Sequence, residues 1–204
     1  MKDRKRTEKK ILDAVGSIIA GDGFEGIGIN AVAQQAGVSK MLIYRYFEGL
    51  NELISSYLLQ KDYWVNTNID FRESSDIGES LKRLFREQIR QMRGDITLRR
   101  LHRWELSTAD QTVRLLRERR ERNGCELVKA VGELTHSPHA EVASLASILS
   151  ASISYLVLME EQTAVYNGID LQSDTGWEQV AQGIDLMIDL WMKHIRRPDR
   201  KSVV

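Results

Sequence analysis

The 204-residue chain has a single cysteine, Cys125, so no disulfide can form within it. Its fold must rest on packing alone, which suits a reducing compartment such as the cytoplasm. There are only two prolines, Pro138 and Pro198, so long helices can run unbroken. No run reaches the ~18 consecutive apolar residues of a membrane span, and no membrane partner is expected. The basic start MKDRKRTEKK is not followed by a signal-peptide core. ILDAVGSIIA is broken by Asp13 and repeats at helical spacing. Net charge is also lacking: 29 Lys and Arg balance 29 Asp and Glu, which excludes coating of nucleic acid by charge alone. No Gly-rich phosphate loop, nucleophile elbow or acid–base set can be named, so neither an enzyme nor a cofactor is expected. His136 and His139 have no further metal-ligand types beside them, and no metal site is expected.

Period-two runs of β-branched residues are missing, as is any fixed repeat. What remains is apolar residues at three- and four-residue spacing almost throughout, which predicts an all-α chain. The first helix is expected over about 5–21, ended by Gly21 and Gly23. Short helices follow at about 30–36 and 39–46, with Ser39 as cap, and another at about 49–66. Further helices are expected at about 77–93, 96–106, 109–134 (capped by Thr108), 138–167 (capped by Ser137) and 176–196. Thr175-Gly-Trp-Glu178 reads as a capping box for the last of them. The pattern divides the chain into residues 1–50, a compact head, and 51–204, a larger helical body.

Residues 36–47 read AGVSKMLIYRYF. Two short helices around AGVS predict a helix-turn-helix, with Gly37 at the left-handed turn position. Val32, Ala33, Ala36, Val38 and Ile43 supply the packing between them. Lys40, Met41, Tyr44 and Arg45 then face outward. That set suits the major groove of double-stranded DNA: phenol to phosphate, guanidinium to a guanine edge. The rival reading is an all-α protein-interaction adaptor whose aromatic helix binds a partner protein. The first ten residues carry six Lys or Arg against two acids, and read as a flexible basic arm that can reach phosphates.

ILDAVGSIIAGDGFEGIGI followed by VAQQAGVSKMLIYRYFEGLNEL resembles the DNA-binding domain of the TetR family of bacterial transcriptional regulators. The resemblance implies an N-terminal three-helix helix-turn-helix domain joined to a ligand-binding and dimerisation domain. It implies DNA contacts from Asn30, Ser39, Lys40, Met41, Leu42, Tyr44, Arg45 and Tyr46. Two departures stand out. Gly28 occupies the place of a phosphate-gripping Thr, and Leu50 that of a phosphate-gripping Lys. The basic arm and the start of the fourth helix are expected to compensate.

In the body, Ala143, Ser147, Ala151 and Ser154 form a small-residue stripe, and Ile184, Met187 and Trp191 recur at helical spacing. These predict a homodimer interface, which also matches a palindromic operator. A small-molecule effector pocket is implied by the family. Trp64, Phe85, Gln88, Met92, Trp104, Cys125, Tyr155 and Met159 are the aromatic, soft or amide residues available to line it. Each is also a core type. The resulting expectation is a repressor released from its operator by that effector.

Overall fold

The computed structural model describes residues 2–61, 71, 76–107 and 111–196. Along the chain come α1 (Lys2–Asp22), a 3-10 turn (Phe24–Gly26), α2 (Ile29–Ala36), α3 (Lys40–Phe47) and α4 (Leu50–Lys61). α5 (Ile77–Gly94), α6 (Ile96–Ser107), α7 (Gln111–Thr135) and α8 (His139–Glu160) follow. A hairpin of β1 (Val165–Tyr166) and β2 (Ile169–Asp170) then leads to α9 (Asp174–Ile195). The all-α expectation holds apart from this hairpin. Two compact units result: residues 1–67 with 95–121, and residues 68–94 with 122–204. The first reaches beyond the boundary expected at residue 50, because α4 and α6 both pack on α1.

In the first unit, Ile11, Leu12, Val15, Ile18 and Ile19 bury one face of α1. The helix starts at Lys2, so the basic stretch is not a flexible arm but the first turns of α1. Gly21 lies inside the helix and Gly23, at φ 80°, marks the stop. From α4, Leu53, Tyr57 and Leu58 complete the core. Tyr57 fits because α1 has a glycine opposite. A Cβ at Gly16 would stand 3.0 Å from the Tyr57 hydroxyl. Asp95 opens α6, its Oδ1 accepting from the backbone N–H of Thr97 at 2.9 Å and of Leu98 at 3.2 Å.

In the second unit, α5 packs on both α8 and α9. Leu81, Leu84, Phe85, Gln88, Ile89 and Met92 form its buried face. Beside that face runs a ladder of ion pairs to α9. Lys82 pairs with Asp189 at 2.7 Å, Arg86 with Asp185 at 2.7 Å and Glu178 at 2.8 Å, and Arg93 with Asp174 at 2.9 Å. Rising numbers on α5 meet falling numbers on α9, so the helices run antiparallel. Arg86 holds the Glu178 carboxyl below its usual range. A depressed carboxyl stabilises the fold above its unfolded value and loses that contribution as pH falls through the folded one. We therefore expect the melting temperature to drop in acid, and to drop less in Arg86→Met. Parallel pH curves for parent and variant would remove the ladder as the cause.

Three boundaries differ from the sequence reading. α8 stops at Glu160, seven residues before the end expected at 167, because Asn167-Gly168 forms a two-residue hairpin turn. Both residues have positive φ, 50° and 82°, as the tight turn of a twisted hairpin requires. Val165 pairs with Asp170 and Tyr166 with Ile169. α9 is capped by Ser173, whose Oγ accepts from Gly176 N–H at 3.0 Å, and not by Thr175. Gly176 is needed for contact rather than for capping. A Cβ there would come within 1.8 Å of the Asp170 carbonyl oxygen. Trp177 Nε1 donates to the Leu171 carbonyl at 2.7 Å, fixing the hairpin to the start of α9. At the start of α8 the N-cap is Pro138, and the buried Ser137 Oγ has no hydrogen-bond partner among the described residues. Thr108 lies outside the described residues.

Candidate DNA-binding surface

α2 ends at Gly37, which takes the left-handed conformation at φ 59°, ψ 43°. Its N–H and that of Val38 donate back to the last turn of α2, so the reversal leaves no donor idle. Ser39 starts α3, its hydroxyl accepting from Leu42 N–H at 3.3 Å. Such a cap is worth about 0.5–2 kcal/mol. On α3, Ile43 and Phe47 are one turn apart and both buried. Each contributes roughly 1.5–3 kcal/mol by leaving water. They clamp the helix onto Val32, Ala33 and Ala36, which are buried on α2.

That clamp decides what faces outward. Lys40, Met41, Tyr44 and Arg45 are all exposed, Met41 at 73% and Tyr44 at 50%. Asn30 is exposed on the first turn of α2. Leu42 and Tyr46 are half-buried, on the flank of α3 rather than its outer face. The Arg4 guanidinium lies 5.5 Å from the centroid of the Tyr46 ring. Lys10 reaches the turn, its ammonium 3.5 Å from where a Cβ of Gly37 would stand. Sequence spacing could not have paired Arg4 or Lys10 with the helix-turn-helix; only the packing of α1 does so. The surface thus offers one short helix with two cations, a phenol and a bare thioether, flanked by the basic turns of α1. In Arg45→Ala we expect relaxed preference at one base of each half-site, at a cost of about 1–3 kcal/mol. Binding to single-base operator variants checks this, and unchanged preference would remove Arg45 from base reading.

The family model described as bacterial regulatory proteins, tetR family, matches residues 11–57, which run from the middle of α1 into α4. Over these residues the chain is similar to the DNA-binding domain of that family. A TetR family transcription regulator from Marinobacter aquaeolei VT8 is similar over 93% of this chain and 97% of its own, with TM-score 0.66 and 21% identity. A fatty acid degradation regulator from Bacillus halodurans covers 88% of this chain and 96% of its own, with TM-score 0.62 and 18% identity. At such identities the likeness speaks for the fold. A fatty acid metabolism regulator protein of Bacillus subtilis (strain 168) is 25% identical over 116 residues, 56% of this chain and 60% of that protein. The match therefore spans less than two thirds of that relative. The matched family is one of regulatory proteins. Among the described residues no group of His, Cys, Asp and Glu could hold a metal ion.

The residues expected to line an effector pocket do not all behave alike. Phe85, Gln88 and Met92 share the buried face of α5, and Gln88 Nε2 points at the Met92 sulfur at 4.0 Å. Met159 is half-buried. Trp104 belongs to the first unit, where its ring stacks flat on Phe24 with centroids 4.4 Å apart. Cys125 is exposed, so it stands outside the packed core. Tyr155 is 51% exposed and meets Tyr166 of the hairpin edge-on. Trp64 lies outside the described residues.

The expected dimer stripe is sharper on α8 than on α9. Ser147 and Ala151 are exposed, Ala143 and Ser154 half-buried, and exposed Ile148 and Tyr155 extend the same face. No charged residue occurs between Glu141 and Glu160. By length and composition α8 is apolar enough to cross a membrane, although its serines keep every run of consecutive apolar residues short. On α9, Ile184 and Trp191 turn inward and are buried within the subunit, a correction to the expected interface. Trp191 Nε1 donates to Glu141 at 2.7 Å. Met187 remains exposed, joined by Leu186 and Leu190. Period 3.6 allows two faces through these residues, and only the position of α5 selects the inner one.

Proposed function

We propose that the protein is a dimeric, sequence-specific DNA-binding transcriptional regulator, a cytoplasmic repressor that a small-molecule effector releases from a palindromic operator. The observation that carries this reading is the outer face of α3, where Lys40, Met41, Tyr44 and Arg45 stand clear of a helix anchored by Ile43 and Phe47. Arg45 reads a guanine edge, Met41 meets a thymine methyl, and Lys40 and Tyr44 take phosphates. Two copies joined through α8 and α9 present two such helices, which fill both half-sites when about 34 Å apart. An effector acts by preferring a state with a different spacing. The relatives named for fatty acid metabolism and degradation support an effector with an acyl chain. Selection of bound sequences from a random DNA pool tests the reading. A palindromic motif is expected. Failure to enrich any sequence, with binding indifferent to salt, would favour the adaptor reading instead.

The first turns of α1 carry the charge that Gly28 and Leu50 do not supply. Lys5, Arg6, Lys9 and Lys10 are exposed, and Arg4 is held against α3 by Tyr46. Deleting residues 2–6 should weaken binding to every DNA sequence alike and flatten the dependence on salt, since each lost phosphate contact removes released counterions. An unaltered salt slope would show that these turns do not touch DNA.

A further inference from the structure

Met41 is 73% exposed in the first turn of α3. The other described methionines are better covered. Met92 and Met192 are buried, Met159 is half-buried, and Met187 is 40% exposed. Oxidation of a thioether needs access to it, so Met41 is the described methionine that an oxidant meets first. On most surfaces such a change has no consequence, because the side chain faces water in either state. Met41 differs in its place. It stands with Lys40, Tyr44 and Arg45 on the face that the operator covers in the reading above. Arg45 follows it by four positions and so lies beside it, one turn on.

We propose that Met41 is an oxidation site through which a hydroperoxide weakens operator binding. The proposal rests on the operator-binding reading of α3. The Met41 sulfur attacks the outer oxygen of the peroxide, and the O–O bond breaks as an S–O bond forms. The sulfur gives up two electrons and the peroxide takes them. The proton of the transferred hydroxyl passes to the departing oxygen, which leaves as water or an alcohol. The product is a sulfoxide, polar and hydrogen-bond accepting, where an apolar thioether stood. A thymine methyl offers it no donor, so its oxygen is stripped of water without a partner. That oxygen also competes with the guanine edge for the Arg45 guanidinium one turn away. Both effects act on base reading. Neither touches the fold, since Ile43 and Phe47 hold α3 from its buried side. Methionine sulfoxide reductases reverse the step.

Operator affinity is measured before and after treatment with hydrogen peroxide, with peptide mass spectrometry giving the sulfoxide fraction at each methionine. Once Met41 is fully converted, affinity should fall by about tenfold, as expected when a polar group is buried unpaired. Circular dichroism should not change. Met41→Leu, compared with its own untreated state, should keep its affinity, because it retains Cys125 and the other methionines but lacks the site. A methionine sulfoxide reductase should return the treated parent to its starting affinity. Bound operator should slow the oxidation of Met41 relative to the free protein. An equal loss in parent and Met41→Leu would place the effect at Cys125 or another methionine and overturn the proposal. Full conversion of Met41 without loss of affinity would overturn it as well. So would one rate of Met41 oxidation with and without operator, since the sulfur would then lie outside the covered face. A parent that binds no operator before treatment would sink the operator reading itself, however readily Met41 oxidises.

Discussion

Replacing Ser147 and Ala151 together by Glu should yield a folded monomer that no longer holds a palindromic operator. Both residues are exposed on α8, so neither substitution disturbs the packing of the subunit. What they disturb is a face free of charge, running from Ser147 and Ile148 through Ala151 to Tyr155. Small side chains there let a second helix approach closely. Two carboxylates on each copy, four in one interface, would have to be stripped of water without partners, at several kcal/mol each. A dimer built on this face would have to offset that cost. Loss of the second head should reduce operator affinity by about a hundredfold or more, because the two half-sites would no longer be bound through one linked molecule. Sedimentation gives the oligomeric state, circular dichroism the fold, and titration with operator DNA the affinity. A soluble dimer with parental affinity would move the interface to another surface. Leu186, Met187 and Leu190 on α9 would then be the next to test.

Operator DNA and effector should weaken each other's binding by one and the same factor. The effect follows from linkage: a ligand that prefers the released state is disfavoured by DNA as strongly as it disfavours DNA. Factors of about 5 to 150 are usual for such coupling. Straight-chain fatty acids are the probes for the acyl effector proposed above. On that proposal Phe85 and Met92, buried on α5, would meet such a chain and Gln88 its polar end. Ligand affinity would be measured by tryptophan fluorescence with and without operator. Trp104, stacked on Phe24, reports on the first unit, and Trp177 and Trp191 on the second. An acyl compound that binds equally well in both conditions is not the effector, however tight its binding. If none of the series couples to DNA, the acyl reading fails while the operator reading stands.

The helix-turn-helix was legible because its determinants are local. Gly37 at the turn, Ser39 as cap, and Ile43 and Phe47 one turn apart are fixed by spacing along one short stretch, and their geometry emerged as that spacing implied. The hairpin at 165–170 was equally local. Asn167-Gly168 is the strongest short signal for such a turn, and it competes with the helical period that α8 carries up to it.

By itself the sequence determined the all-α class apart from that hairpin, the reading helix with its outward Lys40, Met41, Tyr44 and Arg45, and the small-residue face of α8. Each depends on periodicity within one element, and periodicity is written in the chain. Tertiary structure alone decided which residues of different elements meet. It turned Ile184 and Trp191 inward, because α5 packs on that side of α9. It set Arg4 against Tyr46, 42 positions apart in sequence (46 − 4), and brought Arg120 out of a charged run to a buried Glu105 on another helix. An arginine among RLLRERRER looks like any other solvated cation until a neighbouring helix covers it. The physical reason is the same in each case: a helix has several faces, its own sequence allows more than one of them to be buried, and the partner that packs against it makes the choice.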